Sequence, residues 1–547
     1  MKRFVFSFFV LCCMACMLFA AGNSSSSAGT GGAATKVTVT STGFDPNVID
    51  PNSPVYKALE RACNVTLDFE LIPDKSYLEK FSALVASNSL TDVMYIDDLL
   101  NNAFTSGRRG NAFWKLNDHV SKLPNISKVD PSLLKRASLE GEIYGLSRDR
   151  QIGRLALTYR KDWADKLGLG TPKVIEDLYE MAKAFTERDP DGNGVKDTFG
   201  LSEHRSMGQG SFATFACWYG AGAGGGPARQ FMLDKDNKVI PVFATEEFIQ
   251  AARFSARLFK DGYMNQDFIS VTNRTDNIRN SKAGIYINAV DGSPSHLVDL
   301  QKLVPTAEFE FVSMLDAGKG LRAPAENAGY KGYYIFARTT LRNEDALMKA
   351  LMFFDALNTV EVNNLLEYGI EGLHYNVRNG VATFTPEQIE LGRKDRHDLS
   401  QLRTFNLVIN PCIQRERNPV QIRADSAIEV NNRHFVVGVE NGLYSETFAR
   451  NGAALQNDFD AAHAQFVMGQ LDEGGLRAAV TKWYSSGGDR ICAASRLGEP
   501  AATVQPVNKK ATITTGIADK IQFLTCFFMD IFLSDIKYSL LHHDSSP

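Results

Sequence analysis

Apolar and polar residues alternate where the mature part of the chain begins. Lys36–Ser41 (KVTVTS) repeats with period two and is rich in β-branched side chains, which predicts a strand. Ser53–Ala62 predicts a helix with Pro54 in its first turn, and Val65–Ile72 predicts a second strand. Lys75–Ala86 puts Tyr77, Leu78, Phe81, Leu84 and Val85 on one helical face. Asp92–Ile96 reads as a buried strand running into Asp97-Asp98. The order β-α-β-α-β implies an α/β fold with a parallel sheet covered by helices. In such sheets ligands bind beyond the carboxyl ends of the strands, which is where Asp97 and Asp98 stand. The same two acids also suit a helix N-cap and first turn.

Gly141–Arg148 predicts a turn opening into an extended stretch. Arg154–Tyr159 predicts a strand, followed by a helix in which Trp163 serves as a packing anchor, and Val174–Glu187 predicts another helix. Thr245–Asp261 is a capped helix with Phe248, Ala252, Ala256 and Phe259 on one face. Ala283–Asn288 and Gly332–Ala337 are further strands, and Asn343–Leu357 is a capped helix. The glycine-dense Gly220–Gly226 lacks the GKS/T of a phosphate-binding loop.

One loop carries metal chemistry. Asp189, Asp191, Asn193 and Asp197 set side-chain oxygens at alternate positions and again at the ninth, Val195 offers its carbonyl, and Gly194 allows the turn. This pattern suits Ca²⁺, a hard cation that takes six to eight oxygens. The twelfth position, where a bidentate glutamate completes an EF-hand, holds Gly200, so a helix-opening sensor is not implied. An Asp/Gly/Asn turn without metal is the alternative.

The start of the chain adds an address. Lys2 and Arg3 precede an apolar run from Phe4 to Phe19, and small residues follow, the form of a secretory signal over 1–22. Cleavage near Ala21 and lipid attachment at Cys16 both fit. Residues 23–35 are a Ser/Gly/Ala/Thr linker suited to a tether. Formal net charge is −4 with lysine and arginine dispersed, which argues against a nucleic-acid partner. Beyond the signal, Cys63, Cys217, Cys412, Cys492 and Cys526 have neither metal nor redox spacing, and they read as small apolar residues. After Ile491 the pattern dissolves. Residues 492–547 are expected as an atypical, poorly ordered tail, which fits either a change of reading frame near Cys492 or a real extension.

Several stretches, in order, resemble the extracellular solute-binding proteins of ABC importers, in the branch that handles sugars, and notably the calcium-containing alginate-binding proteins. They are Gly141–Leu146, Tyr159–Trp163 with Lys166–Leu169, Asp189–Leu201, Leu258–Tyr263, Asn280–Gly284 and Glu367–Tyr375. The resemblance implies a two-lobed type II periplasmic-binding-protein fold, with a ligand cleft between lobes joined by hinge strands. It implies a structural Ca²⁺ remote from the ligand, a sugar or oligosaccharide as solute, and membrane permease subunits as partners. The location implied is exported: periplasmic, or on the outer surface of the cytoplasmic membrane through a lipid anchor. The expected division is 36–153 plus 282–330 as the first lobe and 154–281 plus 331–491 as the second, with hinges along Arg154–Tyr159 and Gly329–Ala337.

A sugar offers apolar faces ringed by hydroxyls, so its site needs aromatic platforms and forked polar groups. Trp218, Tyr219, Tyr144, Tyr330 and Tyr375 are the candidate platforms, and Asp97, Asp98, Arg148, Glu371 and His374 the candidate polar partners. No catalytic motif stands out, so a receptor is expected rather than an enzyme. A peptide receptor and a hydrolase with paired carboxylates are the alternatives.

Overall fold

The computed structural model describes residues 34–43 and 49–494, apart from 100, 130, 132–133, 135–137, 205–209, 223–230, 326–328, 397, 406–411 and 437–445. The signal, nearly all of the linker, Ala223–Gly226 and the tail beyond Ala494 lie outside the described residues. Cys492, expected to open the irregular tail, lies inside a helix, Asp489–Ala494.

The first body follows the predicted alternation of strand and helix. β1 (Thr35–Gly43) leads through α1 (Pro54–Cys63) to β2 (Val65–Pro73), then through α2 (Asp74–Ala86) to β3 (Val93–Ile96). β1 pairs in parallel with β2 from Thr35 opposite Val65 to Gly43 opposite Pro73, and with β3 on its other side. Local chemistry fixes α1. The Ser53 hydroxyl accepts from the Tyr56 N–H at 3.2 Å, Pro54 suits the first turn, and Asn64 ends the helix in the left-handed region at φ 50°. Val55, Tyr56 and Leu59 are buried against the sheet.

The chain then forms β4 (Gly145–Asp149) and leaves for a second sheet. That sheet contains β5 (Leu155–Arg160), β6 (Phe199–Leu201), β7 (Ala283–Ala289) and β8 (Phe309–Val312), in the order β8-β5-β7-β6. Its core includes Leu157, Trp163, Leu178, Phe185 and Phe215. Trp163 is a packing anchor, as expected, with its ring 5.5 Å from that of Phe185. β9 (Tyr330–Phe336) returns to the first sheet, inserting antiparallel between β3 and β4 in the order β2-β1-β3-β9-β4. Helices Glu344–Ala356, Val360–Tyr368 and Pro386–Arg396 pack on α1, whereas α3 (Pro419–His434) packs on β5 and β8. α4 (Glu446–Val467) lies against Glu246–Lys260 of the second body.

Strand pairing reverses the division expected from the sequence. Residues 283–289 and 309–312 pair with β5, not with the first sheet, and 330–336 pair with β3 and β4, not with the second. The expected hinge strands are also corrected: β5 and β9 are interior strands of their own sheets, and the chain crosses just ahead of each. The reason is non-local. Both strands are apolar and buried, and nothing in their composition says which sheet receives them.

His463 on α4 lies among Phe212, Phe248 and Phe459, with ring centroids 5.6, 5.0 and 6.3 Å away, and its Nε2 has no hydrogen-bond partner among the described residues. Burial pushes its pKa down to about 3. An unfolded imidazole takes its proton at about pH 6.5. The unfolded state therefore binds the proton first as pH falls, and His463 withdraws stability between about pH 6.5 and pH 3, by about 1.4 kcal/mol per pH unit. His463→Phe should flatten the fall of the urea midpoint between about pH 7 and pH 4. Equal slopes for the two proteins would show that this imidazole does not govern the response.

Candidate functional site

Two sheet edges carry the candidate site residues. In the first sheet β1, β2 and β3 end at Gly43, Pro73 and Ile96. β9, running the other way, begins at the same edge with Tyr330, and β4 ends there with Asp149 opposite Tyr330. Register shifts between Tyr330 and Tyr333, around Gly332 at φ 77°. A Cβ on Gly332 would lie 2.3 Å from the Tyr95 ring, so the glycine is what lets that ring lie against β9. The Tyr95 hydroxyl donates to the Asp97 carboxylate. Burial, with the Asp97 charge added, holds the phenol well above its ordinary pKa. Arg148 stacks over Tyr95 with its guanidinium carbon 5.0 Å from the ring centroid, and its Nη2 donates to Gln401 Oε1. The half-buried Tyr330 ring lies 5.3 Å from that of Tyr333.

The second edge is polar in a different way. β6 and β7 run in parallel and end at Leu201 and Ala289, where β5 begins. Past β6 come Ser202, Glu203 and His204. Glu203 is fully buried; its carboxylate accepts from the Ser211 N–H at 2.7 Å and lies 2.9 Å from His204 Nδ1. Arg274 Nη1 is 3.0 Å from His204 Nε2, and its Nη2 donates to Asn288 Oδ1 at 3.1 Å. Burial pushes the Glu203 carboxyl up, but the hydrogen bonds from His204 and the Arg274 charge outweigh it and hold the pKa below the usual range.

Among the described residues the chain passes between the bodies at 150–154, between Ala325 and Tyr330, and between Arg415 and Pro419. The first crossing is clamped by α3: Asn432 Oδ1 accepts from the Gly153 N–H at 3.0 Å, and Asn431 Nδ2 donates to the carbonyls of Gly153 and Leu155, each at 2.8 Å.

The candidates read from sequence divide. Asp97, Asp98, Arg148 and Tyr330 stand together at the first edge. The others have structural surroundings. Trp218 is fully buried beside Phe215, and Tyr219 packs on Phe254. Tyr144 is buried edge-on to Phe104, and Tyr375 packs against Tyr368 and Phe384. His374 is buried, with Nδ1 accepting from the Ile370 N–H at 3.0 Å and Nε2 3.2 Å from Asp395 Oδ2, so its two nitrogens hold a turn together. Glu371 is exposed in that turn. Sequence reasoning missed Tyr95, Gln401, Glu203, His204, Arg274 and Asn288. The rule that found Asp97 also finds Glu203, once Phe199–Leu201 is known to be a strand; three residues are too few to show a period.

In the Asp189 loop the Asp189 carboxylate accepts from the N–H groups of Gly192, Asn193 and Gly194 at 3.0, 3.1 and 3.0 Å. Asn193 Nδ2 donates to Asp191 and Asp197 at 2.9 and 3.2 Å. Burial and the neighbouring Asp189 carboxyl raise the Asp191 pKa. The donors are thus hard oxygens brought into one turn, with acids crowded enough to disturb each other, which fits a hard cation. Among the described residues no three His, Cys, Asp or Glu side chains are gathered as a metal centre.

Two lobes, each with polar side chains at its strand ends and with the chain passing between them more than once, define a two-lobed binding protein. No family model matches the chain. It is 30% identical over 469 residues to the polygalacturonan/rhamnogalacturonan-binding protein YtcQ of Bacillus subtilis (strain 168), covering 85% of this chain and 91% of that protein. Its fold matches an HMO-binding, ABC-transporter-associated solute-binding protein of Bifidobacterium longum infantis ATCC 15697, with TM-score 0.67 and 16% identity over 84% of this chain and 97% of that one. It also matches the alginate-binding protein AlgQ2 solved without calcium ion, with TM-score 0.63 and 20% identity over 84% and 96%. The chain belongs to the extracellular solute-binding proteins of ABC importers.

Breaking the second-edge network should leave a buried charge unpaired. Glu203→Gln should cost about 3 kcal/mol of unfolding free energy, and adding Arg274→Met should restore part of it. Chemical unfolding of both single variants and the double variant measures this; strictly additive losses would dissolve the network.

Proposed function

We propose that this protein captures an oligosaccharide between its lobes and delivers it to a membrane permease without altering it. The arrangement that supports the reading is a polar strand-end region on each lobe: Tyr95, Arg148 and Tyr330 on the first, and the Arg274–Asn288 pair on the second. Tyrosine rings suit the apolar face of a sugar, and forked donors suit its hydroxyls and acidic groups. Residues 34–149 with 330–405 form the first lobe, and 155–325 with 419–494 the second. Closure requires contacts that only the closed form makes. The family relationship and the names of the relatives support a sugar as solute and a role without turnover.

The Asp189 loop holds a structural Ca²⁺ through Asp189, Asp191, Asn193, Asp197 and the Val195 carbonyl; when bound, the ion neutralises the crowded acids and pins the turn that follows helix Ile175–Glu187. Its oxygen-only chemistry supports this, as does the relative solved without calcium ion. The basic and apolar start of the sequence supports export, with the linker as tether. Among the described residues no helix is long and apolar enough to cross a membrane.

A thermal-shift screen of oligosaccharides and peptides tests the solute class. A bound ligand at about 100 times its Kd stabilises by about 2.7 kcal/mol. Stabilisation by sugars with recovery of unchanged sugar is expected; stabilisation by peptides alone, or recovery of cleaved sugar, would refute the reading. For the loop, EDTA should lower the melting temperature and added Ca²⁺ restore it, while Asp191→Asn with Asp197→Asn should abolish both effects. A melting temperature indifferent to EDTA would leave the loop a turn.

A further inference from the structure

The crossings between the lobes converge on one helix. At its carboxyl end α3 holds the first of them. Gly153 lies against Asn431 and Asn432, and a Cβ on Gly153 would stand 2.7 Å from the Asn431 Cβ and 2.9 Å from the Asn432 backbone nitrogen. The glycine is what lets the chain pass this close. Asn431 is fully buried, and its amide nitrogen donates to two carbonyls of the crossing, those of Gly153 and Leu155. The second crossing leaves from the same end. The Ala323 N–H donates to the His434 carbonyl at 3.0 Å, and the Val436 N–H donates to the Ala323 carbonyl at 3.2 Å. The third crossing enters α3 at its other end. There Asn418 caps the helix in a reciprocal pair with Gln421, at 2.9 and 3.0 Å.

The first lobe holds its ends of these crossings just as closely. The Arg150 N–H donates to the Gly329 carbonyl at 2.9 Å, which extends the β4–β9 ladder, and only Gln151 and Ile152 separate Arg150 from Gly153. The Glu416 N–H donates to the Ala382 carbonyl at 2.8 Å, and Ala382 belongs to the hairpin 376–383 of the first lobe. Only Arg417 separates Glu416 from Asn418. Backbone bonded to one body moves with that body, so a change of angle falls on the residues between. The two places stand at opposite ends of α3, roughly 20 Å apart at about 1.5 Å per residue. Two fixed points define one axis of rotation.

We infer that α3 is the axle of the hinge: the lobes turn about a line along this helix, through Gln151 and Ile152 at one end and Arg417 at the other. The helix packs on β5 and β8 and carries the second lobe with it as the angle changes. Turning across that line is resisted, because it would pull Gly153 from Asn432 or Glu416 from Ala382. The Arg417 side chain stays on α3 through Asp425, with Nε 3.2 Å from Oδ2. The inference needs only the two-lobed fold and holds whatever the solute.

Pulsed EPR on the full mature protein without solute tests this, with two pairs of spin-labelled unnatural residues at exposed positions. Lys80 and Lys235 form a pair set away from the axis: Lys80 is on α2, across the first sheet from β4, and Lys235 is in the hairpin 231–241 of the second lobe. Arg378 and Ile422 flank the Arg417 pivot and form a pair beside the axis. The outer pair should give the wider distance distribution. Gly153→Ala, which forces the crossing off the helix, and Asn432→Ala, which removes the acceptor of the Gly153 N–H, should widen it further while the inner pair stays narrow. Hydrogen exchange of the Gly153 amide should quicken about 5- to 10-fold in Asn432→Ala, the scale of one lost hydrogen bond, with β1 and β7 unchanged. An inner pair as wide as the outer pair in the wild type would place the axis elsewhere and overturn the inference. An outer pair that neither variant widens also overturns it. A lower melting temperature in both variants with unchanged distributions would make the clamp a packing contact and overturn it as well.

Discussion

The insertion of β9 between β3 and β4 is the contact on which the architecture turns. Tyr333, Tyr334, Ile335 and Phe336 are buried, and the strand hydrogen-bonds on both sides. Its partners precede it by some 180 residues and more, and the intervening chain builds the second sheet. The first sheet is incomplete until the chain returns, so the second body is tied to it at both ends of an excursion. Two bodies joined by short crossings, rather than by one flexible linker, can change their mutual angle while each stays packed. That is the mechanical requirement for a receptor that closes over a solute.

The same insertion assembles the chemistry. β9 starts at the edge where β3 and β4 end, so Tyr330, Asp97 and Arg148 meet although they come from three parts of the chain. Gly332 is what this arrangement requires: only a residue without a Cβ leaves room for the Tyr95 ring, and that ring then carries both the Asp97 hydrogen bond and the Arg148 stack. At the opposite edge Glu203, His204, Arg274 and Asn288 are linked to one another, while Arg274 Nε has no partner among the described residues. Both edges carry charge of both signs: Asp97 and Arg148 flank Tyr95 at the first, and Glu203 and Arg274 flank His204 at the second.

Much of the fold was legible because its elements are local. The period-two run at Lys36–Ser41, the Ser53-Pro54 start of α1 and the Thr245 cap of Glu246–Lys260 are each specified by residues within a turn or two of one another. The resemblance carried by short ordered stretches reached the two-lobed class. Of the candidates read from sequence, Asp97, Asp98, Arg148 and Tyr330 lie at one edge of the first sheet, the position that the strand-end rule gave for Asp97 and Asp98. Trp218, Tyr144, His374 and Tyr375 were singled out by residue type and nearness to glycine turns, and neither reports burial: each is enclosed by its neighbours.

The chain by itself determined which segments are strands, which are helices, where they start and stop, and that one loop gathers oxygen donors, because those properties follow from side-chain periodicity and capping over a few residues. Only the tertiary structure decided which sheet receives each late strand and which arginines find a carboxylate. Both depend on the order in which distant apolar surfaces are buried together and on where the charges between them are left, and no stretch of neighbouring residues encodes that.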